Sequence, residues 1–192
     1  MKKKITYFIL ILLIIAFFGF IFFFKLLFAD NIDNHSSKKE HVFYIHTGDS
    51  YSKVLKSLKE QHIIKDMESF KLVSSKLKYE ESIKPGRYLI DNNTGNLQLV
   101  RKLRAGAQDP VKITFNNIQN KEQLAKRIAA QIEATETELL TEFNNQQFLD
   151  SLQLTEDNFP TIFLANTYEF YWNTSSREFI SRMLKEYNKF WT

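Results

Sequence analysis

"ITYFILILLIIAFFGFIFFF", residues 5 to 24, contains no charged side chain. Twenty helical residues rise about 30 Å, the thickness of a bilayer's hydrocarbon core. Lys2, Lys3 and Lys4 precede the run. That asymmetry predicts an N-terminus kept in the cytoplasm and a remainder carried across the membrane. A cleaved signal peptide would have a shorter apolar region, about 7–15 residues, followed by small residues at a cleavage site. "KLLFADNIDN" has no A-x-A pattern, so an uncleaved anchor is expected over residues 1–29. "DNIDNHSSKKEH" is polar and rich in turn formers, and reads as a tether over 30–40.

The charge distribution removes one function class. The formal net charge is +4, yet the four lysines of residues 1–25 account for all of it, leaving 22 basic and 22 acidic side chains. A part with no net positive field has little reason to prefer phosphate backbones, so nucleic acid is not an expected partner. Cysteine is absent, which rules out disulfides and thiolate zinc sites. His35, His41, His46 and His62 make a poor metal set: His41 and His46 are five apart on an expected strand and face opposite sides. Arg101, Lys102 and Arg104 form a small basic cluster that could meet acidic polymers or lipid headgroups, but a solvated helix face explains them as well.

Two segments follow the anchor. In the first, "HVFYIH" (41–46) reads as a strand. "TGDS" (47–50) is a turn able to cap a helix through Asp49 or Ser50. Val54, Leu55 and Leu58 share one helical face, as do Phe70, Val73 and Leu77. "KPGRYLI" (84–90) is a turn and a strand, with Gly86 free to take the positive φ of a type II turn. "TGNLQLVRKLRAG" (94–106) is a helix stopped at Gly106. The second segment opens with the strand "VKITF" (111–115). A helix from Asn120 carries Leu124, Ile128 and Ile132, and capping-box spacing recurs at Asn120/Gln123, Thr135/Glu138 and Ser175/Glu178. One strand cannot complete a sheet, so the second segment is expected to be an incomplete domain. The fold class is α+β.

The order of these pieces resembles the MltG (YceG-like) family of endolytic murein transglycosylases. The resemblance rests on the anchor followed by a LysM-like module with "GDS" at its first turn, on "SIKPGRYLI", on "LQLVRKLRAGAQDPVKITF", on "NKEQLAKRIA", and on "ANTYEFYWNTSSREFISRMLKEY". The last is similar to the family's Pro-Asp-Thr-Tyr motif and its following helix. The implied organisation is an anchor (1–29), a tether (30–40), a LysM-like module (41–108) and the N-terminal part of a YceG-like transglycosylase domain (109–192). The implied activity is cleavage of nascent glycan strands without water: an acid protonates the glycosidic oxygen and the muramic C6 hydroxyl attacks C1, leaving a 1,6-anhydro end. One carboxyl group can serve as acid and then base if an apolar setting raises its pKa. The resemblance implies no metal or organic cofactor. It implies peptidoglycan glycan strands and the cytoplasmic membrane as partners, with wall-synthesis enzymes as candidate protein partners.

Two departures matter. Aligned on Thr167 and Tyr168, Pro160 and Thr161 stand where many members carry Glu-Gly, and Ala165 and Asn166 replace Pro-Asp. The family's Ala-Ser-Ile-type motif with the catalytic Glu does not occur in these 192 residues; it is expected beyond Thr192, so no catalytic residue is assigned. The groove candidates are Asn166, Thr167, Tyr168, Glu169, Tyr171, Trp172 and Asn173. Tyr168, Tyr171 and Trp172 could stack on pyranose faces. Asn166, Thr167 and Asn173 could bond sugar hydroxyls or merely satisfy a turn. Glu169 has three readings: catalytic acid, groove residue, or a surface carboxylate, since in an extended run it points away from Tyr168 and Phe170. A non-catalytic, membrane-anchored glycan-binding or scaffold protein is the alternative function.

Overall fold

The computed structural model describes residues 2–33, 39–115, 120–155 and 158–192, with the side chains of residues 2–6 and 8 outside that description. His35 therefore lies outside the described residues, as does the middle of the expected tether. Helix α1 (Lys2–Phe28) runs 27 residues. Its stretch Ile9–Phe28 is long and apolar enough to cross a membrane, and no residue of it is fully buried. Beyond α1 the chain mixes helices with two two-stranded sheets. It forms two compact units: Met1–Lys84 with Tyr88–Ala107, and Gln108–Thr192 with Pro85–Arg87.

The first unit adds β1 (Glu40–Ile45), α2 (Tyr51–Glu60), α3 (Met67–Lys76), a short 3-10 turn at Tyr79–Glu81, β2 (Gly86–Asp91) and α4 (Asn96–Ala105). β1 and β2 are hydrogen-bonded neighbours. The apolar periodicity becomes the core: Phe43 and Ile45 from β1, Val54 and Leu58 from α2, Phe70 and Val73 from α3, with Leu99, Val100 and Leu103 from α4. Leu55 and Leu77 pack at its margin. Ser50 caps α2 by accepting the Lys53 N–H (3.4 Å), while Asp49 accepts the His46 N–H (2.9 Å) and pairs with Lys53 (2.7 Å). Gly106 ends α4 at φ 68°, its N–H donating to Leu103 O. Gly86 takes φ 150°, well past the roughly +80° of a type II turn.

Residues 30–33 are not a tether. Ile32 is fully buried in the first unit's core, and Asn31 is 6% exposed. Asp30 bridges Gly95 and Ile32 bridges Ile64. Asp and Asn favour turns when their side chains bond the local backbone; here the Asn31 bonds run to α3, α4 and the segment before α3.

The second unit contains β3 (Val111–Thr114), α5 (Lys121–Ala129), α6 (Glu136–Phe143), α7 (Gln146–Ser151), a 3-10 turn at Phe159–Ile162, β4 (Thr167–Phe170) and α8 (Ser176–Trp191). The expectation of a single strand is corrected. β4 pairs antiparallel with β3, placing Val111 opposite Phe170, Lys112 opposite Glu169, Ile113 opposite Tyr168 and Thr114 opposite Thr167. Ile113, Leu124, Ile128, Leu139, Phe143, Phe159, Phe179, Ile180 and Met183 build the core behind this ribbon.

Capping is as the spacing predicts. Asn120 accepts the Gln123 N–H (2.8 Å), and full capping boxes stand at Thr135/Glu138 and Ser175/Glu178. The backbone N–H and then the hydroxyl of Thr135 hold the Glu138 carboxyl below its ordinary value, and Ser175 does the same to Glu178. A depressed carboxyl stabilises the fold above its unfolded pKa, near 4.5, and that contribution is lost as pH falls through the folded value. The urea midpoint of the second unit is therefore expected to fall between about pH 6 and about pH 3. Both tryptophans, Trp172 and Trp191, lie in this unit, so their fluorescence follows it alone. The double variant Glu138→Gln, Glu178→Gln should show a smaller acid drop; an undiminished one would refute the linkage.

Candidate functional site

The pleat of β4 sorts the candidate residues into two faces. Phe170 (5% exposed) and half-buried Tyr168 turn inward with Ile113 and Phe115. Glu169 and Thr167 turn outward. Glu169 has 60% of its side chain exposed and pairs with Lys112 across the ribbon at 3.8 Å. Thr167 Oγ1 lies 2.8 Å from Thr114 Oγ1 in the next cross-strand pair. This is the environment of a surface carboxylate. A solvated Glu beside a lysine is not in the apolar, water-shielded setting of a general acid.

The aromatic cluster divides in the same way. Phe163 packs half-buried against the core: its ring lies 5.2 Å from Phe159, 5.9 Å from Phe115 and stacks on Phe179 at 6.1 Å. Phe170 sits 4.9 Å from Phe179. Tyr171 is 56% exposed, and its carbonyl accepts the Thr174 hydroxyl (2.6 Å). Trp172 is half-buried and its carbonyl accepts the Glu133 N–H (2.7 Å). Asn173 is half-buried in the turn between β4 and α8.

A concave site opens on the other side of the second unit. Its volume is about 430 Å³, and Leu164, Ala165, Asn166, Tyr168, Glu186, Lys189 and Phe190 line it. Three local features shape it. Asn166 turns the chain into β4: its carbonyl accepts the Phe115 N–H (2.9 Å), and its side-chain oxygen accepts the Thr167 N–H (2.7 Å). The Tyr168 hydroxyl donates to Leu164 O at 3.3 Å, fixing the ring along the wall. Burial, then the charge of Glu186, pushes the Tyr168 phenol up, so it remains a donor. On α8, Glu186, Lys189 and Phe190 occupy the i, i+3 and i+4 positions of one face. Arg182 Nε donates to Glu186 at 2.6 Å, and the Phe190 ring is 67% exposed.

Of the seven groove candidates, Asn166 and Tyr168 line this cavity. Thr167 and Glu169 lie on the opposite face of β4, and Tyr171, Trp172 and Asn173 are not among its lining residues. Glu186, Lys189 and Phe190 were missed. Their signal was present: once α8 commits Phe179, Ile180 and Met183 to the core, Glu186, Lys189 and Phe190 fall together beside its buried stripe. The combination offers an open aromatic ring, a cation, a carboxylate and an amide. Such a set suits a polyhydroxylated ring, whose faces are apolar and whose rim is polar.

A second cavity, about 500 Å³, belongs to the first unit and is lined by Lys39, Asp91, Asn92, Asn93, Thr94 and Gln98. The remaining sequence candidates are scattered. His41 Nε2 is 3.0 Å from Asp33 O, and His46 neighbours Asp49. No group of three or more metal-ligating side chains occurs among the described residues. The basic cluster of α4 divides, because Lys102 donates to Leu89 O at 2.7 Å while Arg101 and Arg104 stay exposed.

The family model described as the YceG-like family matches residues 43–192. Among solved structures, the chain is similar to a yceG-like protein from Listeria monocytogenes, with 20% identity over 80% of this chain and a TM-score of 0.40. The match covers 55% of that protein's chain, so this sequence spans little more than half its length. No curated protein matches.

Proposed function

The chain belongs to the YceG-like family, and on that premise we propose that it forms part of a membrane-anchored murein lytic transglycosylase acting on nascent glycan strands outside the cytoplasmic membrane, these 192 residues being inactive by themselves. In this reading α1 is the single-pass anchor with its N-terminus in the cytoplasm, and residues 41–108 are the LysM-like module. The second unit supplies a wall of the glycan groove. The observation that carries the reading is the family match over 43–192, and the cavity beside α8 supports it. The exposed Phe190 ring takes one pyranose face, while Lys189, Glu186 and Asn166 meet the hydroxyl and N-acetyl groups.

The chemistry sets one more requirement. Protonating the glycosidic oxygen and then accepting the C6 hydroxyl proton needs a carboxyl group shielded from water. Among the described residues, no Asp or Glu is buried. Glu169 is exposed and paired with Lys112, and Glu186 is paired with Arg182. We therefore place the acid outside the described residues, and assign none of them a catalytic role. The same observation favours a second reading for this stretch alone, that of a glycan-binding part without turnover.

Digestion of purified peptidoglycan by the full 192-residue chain in detergent separates these outcomes. Glycan should be retained and no 1,6-anhydro-muramyl ends should appear. Release of such ends would mean that an acid lies within these residues, and loss of that activity in Glu169→Gln or Glu186→Gln would identify it.

A further inference from the structure

The end of α1 is built into the first unit. Leu26 and Leu27, in its last turn, are half-buried against that unit's core. The Asn96 side-chain amide donates to Leu26 O at 3.0 Å. A Cβ on Gly95 would stand 2.9 Å from Phe28 O and 3.0 Å from its carbonyl carbon, so only glycine lets the loop come this close. Three residues past the helix, the Asn31 amide donates to Asp66 O (2.8 Å), Asn96 Oδ1 (2.8 Å) and Ser69 Oγ (3.2 Å), and its oxygen accepts the Asp66 N–H (2.8 Å). The Asn31 backbone is occupied too, donating to Thr94 O and accepting from Lys65 N–H. Buried side chains this fully bonded hold one geometry.

This joint leaves no spacer between bilayer and protein. With residues 5–24 filling the hydrocarbon, exposed Lys25 marks its edge. The headgroup layer beyond is about 5–8 Å deep. Asn96 is bonded to Leu26, about 3 Å of helix rise past Phe24. The same Asn96 amide donates to Ser69 Oγ at 3.0 Å, so the first turn of α3 comes within about 6 Å of Leu26 O. The N-terminal ends of α3 and α4 thus fall at headgroup depth. Exposed charges near the joint are of both signs: Lys25 and Lys65 against Asp30, Asp66 and Glu68.

We propose that the first unit is seated in the lipid headgroup layer at the C-terminal end of α1, held in one orientation by a joint of Asn31, Gly95 and Asn96. The partner surface is the phospholipid bilayer itself, and the mixed charges make the seating independent of anionic lipid. This rests on α1 spanning the membrane. One consequence is that the unit cannot swing outward, which confines whatever it binds to the zone next to the bilayer.

The chain has no cysteine, so single nitroxide labels can be placed cleanly on the full chain in phosphatidylcholine vesicles. The positions are Lys65→Cys at the joint and Ile15→Cys in the middle of α1. The label at 65 should collide with headgroup-chelated nickel several-fold more than with water-soluble nickel, and adding phosphatidylglycerol should not change that ratio. A six-residue Gly-Ser insertion between Ala29 and Asp30, with a reach of about 13 Å, should release it into water. The insertion precedes Asn31 and Ile32, so their bonds within the unit persist; Gly95→Val, which forces the loop off Phe28, should act in the same direction. A label at 65 that is water-exposed with the native joint, while Ile15→Cys lies in hydrocarbon, would overturn the seating. One that stays at headgroup depth despite the insertion would overturn the joint. Water exposure at Ile15→Cys would instead remove the membrane span, and the proposal with it.

Discussion

Phe179→Ala is expected to destabilise the second unit by about 3–5 kcal/mol, the cost of replacing a fully buried phenylalanine in a core that relaxes only partly. Phe179 has no exposed surface. Its ring lies 4.9 Å from Phe170, 6.1 Å from Phe115 and 6.1 Å from Phe163. It therefore joins β4, the residue that follows β3, the aromatic stretch before β4 and the first turn of α8. Domains of this size have only about 5–15 kcal/mol in total, so a large share of the margin disappears. With a urea slope of about 1–3 kcal/mol per molar, the tryptophan-fluorescence midpoint should fall by roughly 1 M or more. Tyr171→Ala, eight residues earlier and 56% exposed, should move it by less than about 0.5 kcal/mol. Equal effects from the two would contradict the division of the aromatics into core and surface.

That division shows how far local sequence reaches. The alternation in "TYEF" is a two-residue period and needs no partner to be read, so the outward turn of Glu169 is visible in the letters. The capping boxes at Thr135/Glu138 and Ser175/Glu178 span three residues and are legible for the same reason, as is the stop at Gly106. What the sequence conceals is pairing at distance. Four residues of β4 become a strand only because β3, 53 to 59 residues away in its paired positions, offers Ile113 against Tyr168 and Val111 against Phe170. Asn31 reads as a turn former, yet its bonds run to Asp66 and Asn96, 35 and 65 residues on. The cavity is half legible. Asn166 and Tyr168 stand out in their motif, whereas Glu186, Lys189 and Phe190 look like an ordinary solvated helix face until the loop at 164–166 closes against them.

The proposed glycan site lies beside α8, and not on the Glu169 face of β4. Lys189 and Phe190 are exposed, so truncating them leaves the core intact and any change belongs to binding. A stacked aromatic contributes about 0.5–1.5 kcal/mol and a charged hydrogen bond about 1.5–3. Their joint loss, about 2–4 kcal/mol, weakens binding by roughly thirtyfold or more. The measurement is calorimetric titration of a soluble, uncross-linked glycan tetrasaccharide from peptidoglycan onto the full chain in detergent. It should be made for the native sequence, for Lys189→Ala with Phe190→Ala, and for Glu169→Gln with Tyr171→Ala. The first double variant should lose at least about thirtyfold in affinity and the second should bind as the native chain does. Loss confined to the Glu169→Gln, Tyr171→Ala variant would contradict the account and return the site to the outer face of β4.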